Sequence, residues 1–306
     1  MRKLVVLLAV ALGVLATAVP AWAITGDYVD DNEHPFVGLV TFYGPDGDDA
    51  DEDPDYLHRC SGSLLSPSVF LTAGHCTDES TGATTARVYF QQDAGANYDP
   101  ETELDPVSGY PEYCAEGTLG VTCAKSDELY NYGFADFAGF PNTRDVGLVI
   151  LDQPIQLDEY GVLAEPGTLD ALADRLEKRK IVFTSSGYGL SESNPEHVTS
   201  FRERLMAESR LTNLRSHNTD GFNLQTNGNG GDRGGTCSGD SGGPVFYGES
   251  ESNTIVAVTS FGMNAYCRGV DFSYRTDRQE VIDWIITTVE NSSANEEADD
   301  IQIVAL

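Results

Sequence analysis

Short runs of β-branched and aromatic residues, separated by clusters of Gly, Pro, Asn, Asp and Ser, recur along most of this chain. The first, Pro35 to Tyr43, is bounded by turn formers and reads as a strand. Arg59 to Leu65, Ser68 to Ala73, Ala86 to Phe90, Val146 to Leu151, Lys180 to Thr184, Thr254 to Ser260 and Phe272 to Arg275 repeat the pattern. Helical periodicity is scarce. Thr168 to Arg179 has helical composition, and Asp277 to Val289 sets Val281, Ile282, Trp284, Ile285 and Val289 on one face, which predicts a closing amphipathic helix. The chain is therefore expected to be all-β, a barrel or a sandwich.

Four stretches fall outside that rhythm. Arg2 and Lys3 precede an apolar run from Leu4 to Val19, and Ala21-Trp22-Ala23 supplies the small residues of a signal-peptide cleavage site. The run is 16 residues long, short of the roughly 20 that span a bilayer, so residues 1–23 are expected to be an export signal and the protein to be secreted. Asp46 to Asp55 holds seven acidic residues in ten but lacks the Gly and closing Glu of an EF-hand, and reads as a solvated loop. Residues 91–133 look like an insertion, rich in Gly, Asp, Pro and Tyr. Residues 291–306 form an acidic tail, expected to be mobile over Asn291 to Asp300, beyond a single folded unit spanning 24–290.

A length of 306 residues allows one large or two medium domains, and 40% hydrophobic residues allow a sizeable core. Charge narrows the partners. Eighteen basic residues face 49 acidic ones, a formal charge of −31, so a nucleic acid-binding surface and attraction to anionic lipid are both excluded as general properties. Six cysteines in an exported chain predict disulfides, and Cys60, Cys76, Cys114, Cys123, Cys237 and Cys267 allow fifteen pairings. Their spacing matches no metal-binding pattern.

The chemistry concentrates in Cys237-Ser238-Gly239-Asp240-Ser241-Gly242-Gly243-Pro244. A serine between glycines on a tight turn can expose its hydroxyl while neighbouring N–H groups converge, which a nucleophile and an oxyanion hole both require. Upstream, Leu71-Thr72-Ala73-Gly74-His75-Cys76 places a histidine at the end of an apolar strand, a candidate general base. Asp145 opens the apolar run Val146 to Leu151, where a carboxylate could orient an imidazole. The same serine satisfies the G-x-S-x-G elbow of α/β-hydrolases, but that fold needs its histidine after the serine, and all five histidines precede Ser241.

Ala73-Gly74-His75-Cys76, Asp145 to Leu151 and Gly239-Asp240-Ser241-Gly242-Gly243-Pro244, in that order, closely resemble the three signatures of the trypsin/chymotrypsin-like serine peptidases, over roughly Ile24 to Val289. The resemblance implies two six-stranded antiparallel β-barrels with the site between them, and a secreted serine endopeptidase. Ser241 is then the nucleophile, His75 the base, Asp145 its orienting carboxylate, and the N–H groups of Gly239 and Ser241 the oxyanion hole. An inactive binding or scaffold protein of the same fold is the alternative. No metal or organic cofactor is implied; the partners are protein or peptide substrates, with no membrane association after signal cleavage, and the protein is expected to be a monomer.

By the same resemblance Cys60 pairs with Cys76 and Cys237 with Cys267, leaving Cys114 for Cys123. Gly235, six residues before Ser241, lies at the base of the substrate pocket, Ser260-Phe261-Gly262 on one wall and Val270 on the far wall, which favours apolar over basic substrate side chains. A shift of one residue would instead put the Asp271 carboxylate in the pocket. Cleavage after Ala23 would free the Ile24 amine to pair with Asp240, although Thr25 and Asp27 depart from the family's usual sequence there.

Overall fold

The computed structural model describes residues 24–45, 55–94, 98–99, 101–104, 109–111, 114, 123–173, 180–194, 197–200, 202–229, 233–263 and 266–306. The expected signal segment 1–23, acidic residues 46–54 and much of the expected insertion lie outside them.

The first half builds one barrel from seven segments: β1 (Val37–Tyr43), β2 (Tyr56–Leu64), β3 (Val69–Thr72), β4 (Thr85–Tyr89), β5 (Cys123–Ser126), β6 (Glu128–Asn131) and β7 (Gly147–Ile150). Their order is β5-β4-β1-β2-β3-β7-β6. Asp127 alone separates β5 from β6. The two are halves of one bent strand, the first pairing with β4 and the second with β7, so the barrel nearly closes on six strand positions. Every residue of β1 is buried, as expected of a strand covered on both faces.

The second half is a closed barrel of β8 (Val182–Gly187), β9 (Leu205–Asn213), β10 (Asn223–Asn227), β11 (Pro244–Tyr247), β12 (Thr254–Gly262) and β13 (Val270–Arg275). It runs β11-β8-β9-β10-β13-β12, and β12 pairs back to β11. β9 and β10 carry charged and amide side chains among their apolar ones, which hid them from the hydrophobic pattern; along β9, buried Ala207, Ser209 and Leu211 alternate with less buried Glu208, Arg210 and Thr212. A single apolar cluster joins the halves, running from Phe36, Leu39 and Phe70 to Phe246, Ile255 and Tyr274.

The expected helix at Thr168 is present as α1 (Thr168–Ala173), its continuation lying outside the described residues. The closing helix, α2 (Gln279–Glu290), buries Val281, Ile282, Ile285 and Val289. It starts at Gln279, after Arg278 in extended backbone, rather than at Asp277, whose carboxylate accepts from buried Arg275 at 2.8 Å and from the Leu169 N–H at 2.7 Å. The acidic segment after α2 is a correction to the expected mobile tail. Ala294 and Ile301 are buried against the core. Glu297 accepts from Ser66 Oγ at 2.7 Å and Ser68 N–H at 2.8 Å. Ile303–Val304 then pairs in parallel with Val162–Ala164. Acidic composition obscured these few anchoring contacts. Three disulfides join Cys60 to Cys76, Cys114 to Cys123 and Cys237 to Cys267.

Candidate active site

His75 sits in the single turn Gly74–Cys76 that follows β3, and Asp145 lies just before β7. β3 and β7 are antiparallel neighbours with Thr72 opposite Gly147, so strand register sets the two residues side by side. Gly74 is required at the crossing: a Cβ there would come within 2.9 Å of Phe134 Cβ and 3.0 Å of Val146 N and O. Asp145 is fully buried. Its carboxylate accepts from the His75 N–H at 2.7 Å, from His75 Nδ1 at 2.9 Å, and from the hydroxyl of Ser260. With Nδ1–H facing the carboxylate, Nε2 is left as the basic nitrogen. Burial alone would depress the imidazole pKa, but the charge and hydrogen bond of Asp145 raise it above the ordinary histidine value. Burial would raise Asp145 in turn; His75 and Ser260 hold it below the usual carboxylate range.

Ser241 rides on a tight turn between β10 and β11. Gly239 and Gly242 hold φ of 99° and 79°, left-handed backbone that glycine adopts without strain. The turn is closed by Asp240 N–H to Cys237 O at 3.0 Å and Gly243 N–H to Asp240 O at 2.8 Å. It is clamped against the first barrel by Ser61 N–H to Ser241 O at 2.8 Å. A Cβ on Gly242 would lie 2.1 Å from Thr72 Oγ1 and 2.5 Å from Ala73 N, so only glycine lets the serine approach the strand that leads to His75. Cys76 Sγ, next to His75, lies 3.9 Å from Ser241 O. The N–H groups of Gly239 and Ser241 donate to no acceptor among the described residues.

Beside Ser241 opens a cleft of about 370 Å³, lined among others by Thr236, Ser260, Phe261, Gly262 and Met263. Three of the five expected pocket residues, Ser260, Phe261 and Gly262, therefore line it, whereas Gly235 and Val270 do not. Asp271, not Val270, turns toward Gly235. A Cβ on Gly235 would come within 2.7 Å of Asp271 Oδ2, which also accepts from the Thr236 N–H at 3.1 Å. Successive residues of a strand face opposite sides, so Val270 is turned away when Asp271 faces Gly235; Asp271 itself sits behind Thr236 and does not line the cleft. Burial pushes the Asp271 carboxyl up to about 7, against the opposing Thr236 hydrogen bond.

Ile24 and Asp240 are each fully buried. Asp240 accepts from Gly189 N–H and Cys237 N–H, both at 2.8 Å, and burial pushes its carboxyl up to about 7. Among the described residues no ion pair joins it to Ile24, whose nitrogen is a peptide amide in the full chain. One feature escaped the motifs. Phe134 packs 5.8 Å from the His75 ring and 5.9 Å from Phe137, which meets Phe261 at 5.2 Å; Phe140 lies 6.1 Å from Phe261. The spacing Phe134, Phe137, Phe140 was visible in the sequence but carried no period that pointed to a site. Cys60, His75 and Cys76 come close enough to hold a metal, yet both sulfurs are spent in a disulfide and no thiolate is available.

A sequence profile of the family described as Trypsin matches residues 23–285. Brachyurin of Leptuca pugilator is 26% identical over 238 residues, covering 76% of this chain and 88% of that protein. Phenoloxidase-activating enzyme of Bombyx mori is 27% identical over 248 residues, covering 76% of this chain and 54% of the relative. The solved structure of an HL collagenase superimposes with a TM-score of 0.57 at 19% identity, covering 87% of this chain and 98% of that one.

Proposed function

Because the chain belongs to the trypsin family, we propose that it is a secreted serine endopeptidase that cleaves peptide bonds through an acyl-enzyme on Ser241. The observation that carries this reading is the fully buried Asp145 accepting from His75 Nδ1 at 2.9 Å. A buried carboxylate on Nδ1 fixes the tautomer that a base needs and stabilises the imidazolium formed when Nε2 takes the serine proton. Ser241 Oγ then attacks the substrate carbonyl. The tetrahedral oxyanion is received by the N–H groups of Gly239 and Ser241, and His75 returns the proton to the leaving amine. Water repeats the sequence to release the acid.

Substrate choice at the cleft rests on Asp271. When ionised, its carboxylate at Gly235 offers a desolvated partner to a Lys or Arg side chain; when protonated, the floor accepts apolar side chains beside Phe261. The apolar pocket expected with Val270 on the far wall is the alternative, and substitution of Asp271 distinguishes the two. Secretion rests on residues 1–23, and no helix among the described residues is long and apolar enough to cross a membrane.

The test compares the purified protein with Ser241→Ala on casein and with a fluorophosphonate. Hydrolysis and covalent labelling by the wild type, both absent from the variant, are expected. A wild-type protein that neither cleaves nor takes label would favour the inactive scaffold reading.

A further inference from the structure

Ser61, in β2, takes no part in the proposed proton transfers and yet grips the nucleophile turn at two points. It is fully buried. Its N–H donates to Ser241 O at 2.8 Å, and its Oγ donates to Gly239 O at 2.8 Å. The same Oγ accepts from the Tyr188 N–H at 2.9 Å, and Ser61 O accepts from Thr72 Oγ1 at 2.8 Å. A serine hydroxyl has one proton. With the Tyr188 N–H pointing at the oxygen, that proton is committed to Gly239.

The turn needs such a constraint. Gly239 has no side chain to restrict it and sits at φ 99°, in a region glycine enters and leaves freely. Its carbonyl is the point where outside structure can fix the torsion that relates the N–H of Gly239 to the N–H of Ser241. Ser61 provides a rigid anchor, because β2 pairs with both β1 and β3. Neighbours also hold it in place: Cβ atoms built on Gly187 and Gly243 would fall 3.0 Å from Ser61 Oγ and 3.4 Å from Ser61 Cβ.

We propose that Ser61 is a positioning residue for the oxyanion site, its hydroxyl carrying the rigidity of the first barrel across to Gly239 so that the Gly239 and Ser241 N–H groups converge. The inference rests on the peptidase reading, since it assigns those N–H groups to the oxyanion. It requires interactions that tighten as charge develops on the substrate oxygen, so removing the hydroxyl should weaken transition-state binding and spare ground-state binding.

The experiment compares wild type, Ser61→Ala and Thr184→Val on a peptide anilide, counting rates per fluorophosphonate-titrated site. Thr184 is an equally buried residue of the second barrel whose hydroxyl donates to Gly248 O at 3.0 Å, and it controls for loss of a buried hydrogen bond. For Ser61→Ala the expected fall in kcat is about tenfold with KM within about twofold, short of the 10² to 10³ that losing an oxyanion donor outright costs. Inhibition by a peptide aldehyde, which forms an oxyanion on Ser241, should weaken by the same factor. Inhibition by the same peptide with a free carboxylate should not change. The ratio of those two inhibition constants does not depend on how much protein folds. Thr184→Val should lower Tm and leave kcat and the ratio alone. An unchanged ratio in Ser61→Ala, or both inhibitors weakening alike, overturns the proposal while leaving the peptidase reading intact. A wild-type Ser241 that takes no label overturns both.

Discussion

Ser260 donates its hydroxyl to Oδ2 of Asp145, the oxygen that also accepts from His75 Nδ1. One residue thus belongs to the cleft wall and to the support of the His75–Asp145 pair. Ser260→Ala should leave a fully buried carboxylate one donor short and make it a stronger partner for the imidazolium. The acid limb of the kcat/KM profile should then move to higher pH, by less than about one unit. A limb that moves to lower pH would show that Ser260 does not act through Asp145.

Asp271, if it reaches the substrate side chain as proposed, is expected to give the pH dependence a second component. Its carboxyl is raised to about 7 by burial, so it is neutral below that value and ionised above it. Cleavage after Arg should gain as pH rises through this window, while cleavage after Leu or Phe should gain nothing from the same ionisation. His75 titration is common to both substrates and cancels in their ratio. The ratio of kcat/KM for Arg over Leu anilides is therefore expected to rise about tenfold per pH unit below 7 and then level off. Asp271→Asn should flatten it; a ratio independent of pH in the wild type would remove Asp271 from the pocket.

The proposed triad was readable because each candidate lies in a contiguous motif whose local structure presents it: a strand end for His75, a strand start for Asp145, a glycine turn for Ser241. The surroundings of Gly235 were not, since Val270 and Asp271 differ by one residue and strand pairing decides which of them faces it. Ser61 carried no local signal at all. Its role comes from partners 127 and 178 residues away in the chain. The tail after α2 was not legible, because composition registers its acidic residues but not the docking of Ala294, Glu297 and Ile301.

Phe137 and Phe140 are 47% and 40% exposed, and both contact Phe261 of the cleft wall. The loop that carries them is pinned at its ends, by Asn131 Oδ1 to the Phe134 N–H at 2.7 Å and Asn223 Nδ2 to Pro141 O at 2.7 Å. Such a preformed aromatic surface should receive apolar side chains next to the residue held in the cleft. Phe137→Ala/Phe140→Ala is expected to raise KM about tenfold for peptides bearing an aromatic at a neighbouring position, and to leave single-residue anilides unaffected. Equal losses on both substrate types would mean that the loop supports the fold rather than the substrate.

Ile24 is buried against Leu205 and Ala207. Leu205 pairs across the strand with Gly187, where a Cβ would lie 2.5 Å from Asp240 Oδ1. Ile24 is thus held one strand away from a buried carboxylate that, among the described residues, accepts from the Gly189 and Cys237 N–H groups and is pushed up to about 7. A chain beginning at Ile24 has an α-amine, ordinarily titrating near 8, that can turn inward and charge with Asp240. The paired amine has its folded pKa raised, so its stabilisation is complete below the unfolded pKa and is lost as pH rises through the folded one. Activity of the Ile24 form should accordingly fall on the alkaline side as the amine loses its proton, with a parallel drop in Tm. Removing one partner of a buried pair costs roughly 3 to 5 kcal/mol, so Asp240→Asn should abolish the alkaline transition and lower kcat at neutral pH by at least about a hundredfold. N-terminal acetylation of the Ile24 form should reproduce that loss with Asp240 intact. Mass spectrometry of the secreted protein identifies its first residue; full activity in a chain beginning elsewhere, or in the acetylated form, would show that Asp240 needs no amine.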